Sequence, residues 1–213
     1  MKTTTRTKVT NWKRSIVSYP AIVAQPETVD DIVEIVKDPE TYPSPVRAVA
    51  SNHSTTRCGV ADSGTLVDVT KMNKIIEIAP DPKDAPEGTE FRMTAQAGAL
   101  YIDVAEELEK HGLQFYVNVE LGNLSVGSAA CGGTKDASFP GEFGQVASYA
   151  VSLKLVLPSG ELVEVTGDDG ELLQVMHSSY GLLGIVYEVT FKVKKLEPMS
   201  VKHVTYPIRE FID

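Results

Sequence analysis

Apolar and polar positions alternate between two periods along the chain. Val29, Ile32, Val33 and Val36 recur at helical spacing behind Thr28, a candidate N-cap, with Asp30 and Asp31 in the first turn. Pro39, Pro43 and Pro45 close that helix and lead into Val46 to Ala50, a predicted strand, and Thr65 to Val69 reads as another. Trp12 to Pro20 reads as an opening strand, Asn73 to Ile78 as a further one, and Phe91 to Ala97 alternates as another. Tyr101 to Gly112 gives the clearest helix, with Ile102, Ala105 and Leu108 on one face and Lys110, His111 and Gly112 closing it. Tyr149 to Leu157, the turn Pro158-Ser159-Gly160 and Glu161 to Thr166 read as a hairpin. Leu172 to Met176 is a short helix, and Tyr187 to Lys194 alternates as the last strand. Pro80 to Gly88 is a polar, proline-containing insertion.

Three stretches fit neither period. Val46–Ala50 breaks into Ser51, Asn52, His53, Ser54 and Thr55, small or polar residues of the kind that surround an anion with backbone N–H groups and hydroxyls. Gly122 to Thr134 is uncharged and made almost wholly of small side chains, as a backbone approaching something large and flat would be. Tyr180 to Val186 is apolar and punctuated by glycine. The dinucleotide G-x-G-x-x-G, the phosphate loop G-x-x-x-x-G-K-[ST], H-E-x-x-H and C-x-x-C are all absent. A nucleotide bound here is held by another solution.

Composition narrows the partners. The 213 residues are 42% hydrophobic, enough for a core without disulfides or metals. Cys58 and Cys131 are the two cysteines, too few for a disulfide framework, and both read as small buried fillers. The first fourteen residues carry Lys2, Arg6, Lys8, Lys13 and Arg14 and no acid, which leaves the rest of the chain at -14 against -9 overall. An acidic body argues against nucleic acid, and the basic arm reads as a flexible, solvated tail. No apolar run approaches the roughly 18 residues of a membrane span, and the N-terminus lacks a signal peptide's apolar core, so a cytoplasmic location with no membrane partner is expected.

The order YPAIVAQPETVDDIVEIV, VRAVASNHS, TLVDVTKMNKI, QAGALYIDVAEELEKHGL, LGNLSVGSAACGGT and SSYGLLGIVYEVTFKV resembles the FAD-binding domain of the vanillyl-alcohol oxidase/p-cresol methylhydroxylase (PCMH) flavoproteins, and within them the sugar-lactone and alditol oxidase branch. The resemblance spans residues 15–197. It implies an α+β, two-lobed PCMH-type FAD-binding domain, with a small αβ lobe (about 15–75) and a larger mixed sheet flanked by helices (about 76–197). Residues 1–14 are then the arm, and 198–213 the start of a cap domain cut short or a partner-docking tail.

The resemblance also implies roles. Ala50, Ser51, Asn52, His53, Ser54 and Thr55 correspond to the pyrophosphate turn, where Ser51 and Asn52 stand in place of the family's usual glycines. His53 falls where many members join the flavin covalently. Asn123, Leu124, Ser125, Gly127 and Ser128 would line the isoalloxazine and ribityl region, with Gly132 and Thr134 continuing along the cofactor. Val146, Gly184, Ile185 and Val186 would lie near the adenine. The cysteine that forms a second link in some members is missing at about Asn123. The implied activity is transfer of a hydride from an alcohol, polyol or sugar lactone to flavin N5. Because the catalytic base and the substrate groups of such relatives come from the cap, a second chain supplying that domain is an implied partner. A non-catalytic FAD-binding module is the rival reading. No metal is implied, and His177 and His203 read as structural or surface groups.

Overall fold

The computed structural model describes every residue except 6, 81–89, 140, 201 and 213. The expected insertion at 80–88 therefore lies, past Pro80, outside the described residues. The N-terminal segment departs first from expectation. Strand β1 (Lys2–Thr5) pairs antiparallel with β4 (Ile22–Gln25), and between them β2 (Val9–Thr10) pairs with β3 (Val17–Ser18). The arm is thus held by a backbone ladder, and the strand expected over Trp12–Pro20 is instead a short hairpin followed by β4. A run such as Lys2-Thr3-Thr4-Thr5 has no apolar alternation to read, because the pairing is carried by backbone groups that every residue type supplies.

Helix α1 (Val29–Lys37) starts as expected. The Thr28 hydroxyl accepts from the N–H of Asp31, and the Asp31 carboxylate accepts from the N–H of Thr28, closing a capping box. Ile32 and Ile35 are fully buried against the small sheet. That sheet runs β1-β4-β6-β5, with β5 (Val46–Val49) and β4 both parallel to β6 (Thr65–Asp68).

The chain then builds a second sheet in the order β11-β10-β12-β8-β7, from β7 (Ile75–Pro80), β8 (Glu90–Gln96), β10 (Ala150–Val156), β11 (Leu162–Thr166) and β12 (Ile185–Lys195). Strand β9 (Leu113–Phe115) adds to the far end of β12. This larger sheet, expected to be mixed, is antiparallel at every described pairing, and the parallel pairs are confined to the small one. Helix α2 (Tyr101–Lys110) covers it through Tyr101, Val104 and Leu108, while Ile102 is 46% exposed. Of the expected face, Leu108 is buried and Ala105 packs against the core, while Tyr101 and Val104 take the place of Ile102. His111 is the C-cap of α2, where a cation favours the helix dipole. The hairpin turn is as read, with Gly160 at φ +82°.

One further helix was not foreseen as such: α3 (Val126–Cys131) occupies the middle of the small-residue stretch. Helix α5 (Ile208–Ile212) lies in the tail, where the resemblance implies the start of a helix, and α4 (Glu171–Met176) matches expectation. The two lobes meet on β12. Ile185 packs with Ala24, Ile32, Ile35 and Val67 in the small-lobe core, and Val186, Val189, Phe191 and Val193 belong to the large one.

Candidate functional site

Three walls enclose a cavity of about 350 Å³ at the junction of the two sheets. The first is the loop leaving β5. Asn52 takes φ +56°, a left-handed conformation that asparagine tolerates better than other side chains. It therefore does the work a glycine would do there, and its amide adds a hydrogen bond from Nδ2 to the Thr10 carbonyl at 2.8 Å. The Ser54 hydroxyl accepts from the Thr56 N–H at 3.1 Å and lies 3.2 Å from the Cys58 sulfur. A 3-10 turn over Arg57–Gly59 folds the loop back, and a Cβ on Gly59 would stand 2.7 Å from Val49 Cγ1.

The second wall is α3. Ser125 caps it by accepting from the Ser128 N–H, and its first turn is strapped to the end of β8 by Val126 N–H to Ala99 O and Gly127 N–H to Ala97 O, both 2.9 Å. The third is the segment before β12. Tyr180 donates its N–H to Cys131 O at 3.0 Å and sits at φ +51°, followed by Gly181 at +72°. A left-handed tyrosine is uncommon and stores backbone strain of the kind found at functional sites. Its hydroxyl lies 2.9 Å from where a Cβ on Gly133 would stand.

Of the residues the sequence singled out, Ala50, Ser51, Asn52, His53, Ser54, Thr55, Leu124, Ser125, Gly127, Ser128, Gly132, Thr134, Gly184 and Val186 line this one cavity. Asn123, Val146 and Ile185 do not. Asn123 is exposed in the turn before α3, Val146 is buried in a 3-10 turn, and Ile185 points into the small-lobe core. Gly133, Gly181, Thr56 and Gly59 extend loops already recognised, so continuity of the chain would have found them. Val69 and Ala97 carry no local signal. Both cysteines line the cavity. Cys131 is buried as read, and burial pushes its thiol up to about 12, whereas Cys58 is half-buried rather than a core filler.

The donor set suits a large anionic, partly aromatic ligand. Among the described residues no Asp, Glu, Lys or Arg lines the cavity, and the polar half offers the hydroxyls of Ser51, Ser54, Thr55, Ser125, Ser128 and Thr134. Among the described hydrogen bonds none uses the backbone N–H of Ser51, Asn52, His53, Ser54 or Thr55, which leaves a row of donors for phosphate oxygens. The other half is Ala48, Val49, Val69, Ala97, Leu124 and Val186, a surface suited to a flat ring. His53 is half-buried between them, its ring stacked on Trp12 at 5.5 Å between centroids and 14° between planes. Its Nδ1 is buried with no protein partner, a costly state unless a ligand supplies the contact. These residues fit FAD.

Fold and cavity together define an FAD-binding domain. The FAD binding domain family matches residues 20–166, more than half of the chain, and the chain belongs to that family. It is 24% identical over 209 residues to L-gulonolactone oxidase of Bos taurus, covering 97% of this chain and 44% of that protein. It is 28% identical over 182 residues to a putative D-arabinono-1,4-lactone oxidase of Neurospora crassa, covering 85% and 31%. L-gulono-1,4-lactone dehydrogenase of Mycobacterium tuberculosis is 25% identical over 211 residues, covering 95% and 46%. The chain therefore spans less than half the length of these curated relatives. In fold it matches crystalline 6-hydroxy-D-nicotine oxidase from Arthrobacter nicotinovorans, with a TM-score of 0.67 over 84% of this chain and 37% of that one at 17% identity. The expected resemblance and two-lobed fold are borne out. Among the described residues no helix is long and apolar enough to cross a membrane.

Proposed function

We propose that this chain is the FAD-holding part of an oxidoreductase acting on the CH–OH group of a polyol or sugar lactone, with the flavin attached through His53. The observation that carries the reading is His53 itself, an imidazole set in an anion-binding loop, with a buried, unpartnered Nδ1 and a place in the cavity wall. Bound FAD would supply hydride acceptance at N5. The chain's own residues bind and orient it: the 51–55 loop would receive the pyrophosphate, α3 and the Tyr180–Val186 segment would flank the rings, and the apolar half of the cavity would exclude water. The lactone oxidase and dehydrogenase names of the relatives support the substrate class.

Acid precipitation tests the attachment. Purified protein is expected to give a pellet that stays yellow, and His53→Ala a colourless pellet after release of FAD to the supernatant. Protein that is colourless, and stays so after incubation with FAD, overturns the whole reading. A yellow supernatant from the unsubstituted protein overturns the covalent link alone.

A second reading is favoured by one observation: among the described residues the titratable groups lining the cavity are His53, Cys58, Cys131 and Tyr180, with no carboxylate or lysine to serve as a base toward an alcohol. On that reading the chain is an FAD module that needs a separate cap-domain partner for activity. Stopped-flow bleaching of the flavin by a panel of polyols and lactones, with and without a co-expressed cap chain, separates the two.

A further inference from the structure

We infer that residues 10–12 form a clasp that presets the cofactor loop, and that Trp12 is a positioning residue for His53. The inference rests on the reading that the 51–55 loop holds FAD.

Four contacts tie the N-terminal segment to that loop, and they flank His53 on both sides. Before it, the Asn52 carbonyl accepts from the Trp12 N–H at 3.0 Å, and the Asn52 amide donates to the Thr10 carbonyl at 2.8 Å. After it, the Ser54 carbonyl accepts from Asn11 Nδ2 at 3.1 Å. On the ring itself lies the indole of Trp12 in an offset stack. Asn11 is only 3% exposed, and its Oδ1 accepts from the N–H groups of both Ser15 and Ile16, so the donor side of its amide is held toward Ser54.

Trp12, by contrast, is 51% exposed and does not line the cavity. A tryptophan left half in water gives up much of the burial its size allows. What its side chain keeps is the face it lays on the imidazole, so the indole meets the site through His53. With both flanking peptides tied and one ring face covered, the imidazole is held in place before any ligand arrives. A loop fixed in advance binds more tightly because less ordering remains for the ligand to impose.

The test uses the whole chain and three substitutions, Trp12→Ala, Trp12→Phe and Trp12→Leu. In apo protein the His53 ring protons are expected upfield by the indole ring current, at ordinary positions in the Ala and Leu forms, and partly shifted in Phe. FAD titration of apo protein, read by flavin fluorescence on the reversible complex that precedes any covalent bond, is expected to show a dissociation constant raised roughly threefold to tenfold in Ala and Leu, from loss of one aromatic stack. The Phe form should stay within about twofold of the original. Amide exchange at Ser51 to Ser54 should quicken in Ala and Leu.

A folded Ala or Leu form with unchanged FAD affinity and unchanged loop exchange overturns the clasp. So does a Leu form that behaves like Phe, because apolar bulk would then suffice. If the original chain binds no FAD, the functional reading falls, and loop exchange alone decides the clasp: quickened exchange upholds it and unchanged exchange overturns it.

Discussion

Gly127→Ala sets two opposed effects against each other at one atom. Gly127 lies in the first turn of α3, where alanine is the better helix former by up to about 1 kcal/mol. The added Cβ would, however, stand 2.7 Å from Ala97 Cβ and 2.9 Å from the Ala97 carbonyl oxygen. Ordinary carbon contacts are about 3.5–4.0 Å, so α3 must retreat by roughly 1 Å. Neither opposing atom can swing aside: one is backbone, the other a Cβ, and Ala97 is 2% exposed in the turn just past β8. Overpacking against such rigid neighbours costs about 2–3 kcal/mol, so the net effect is a loss of about 1–2 kcal/mol. For a domain of this size that lowers the melting temperature by about 2–8 °C. The retreat also moves a cavity wall and breaks the 2.9 Å bond from the Gly127 N–H to Ala97 O, so FAD affinity falls with it. Differential scanning fluorimetry with and without FAD measures both. A melting temperature that rises by about 2–4 °C, as helix propensity alone would give, refutes the close approach.

Two further predictions concern titration. His177 Nε2 lies 2.9 Å from the Ala150 carbonyl, and burial holds the imidazole below its usual value of 6.5 despite that contact. The unfolded chain therefore takes up this proton at higher pH than the folded one, so the contribution of His177 to stability is complete above pH 6.5 and declines as pH falls below it. Melting curves between pH 7.5 and 5 should show that decline, and His177→Gln should make it shallower; an unaltered slope refutes the assignment. With its thiol near 12 and 5% exposure, Cys131 should resist alkylation at pH 8, so a thiol reagent should count one group in the native protein, Cys58, and two in urea. Two groups counted natively refute the burial.

The legible parts of the fold were those fixed by neighbours in sequence. The Thr28–Asp31 capping box, the strand-loop-strand around His53 and the hairpin closed by Gly160 each depend on residues a few positions apart. Helix α3 was illegible because Val-Gly-Ser-Ala-Ala-Cys has little propensity of its own; its first turn is strapped to Ala97 and Ala99, far back in the chain. The face of helix α2 was misread at Ile102, since its buried stripe is set by the packing of Tyr101 against Phe115 and Phe191. The cavity was legible as three separate stretches of small residues, yet nothing local distinguished Gly184, which lines it, from its neighbour Ile185, which turns to the other core. The share of Trp12 in the site was illegible too, because a solvated arm and a paired strand of threonines look alike in one dimension.

The cavity walls come from segments centred near residues 53, 128 and 183, and they close around the ligand only once β12 joins the two cores. No sub-segment of the chain can present the complete site while it is being synthesised. Contacts of this span form slowly, so the complete site comes together only with the assembly of the large sheet. A ribosome-bound chain stopped short of Tyr180 should therefore retain no flavin, whatever the concentration of FAD around it.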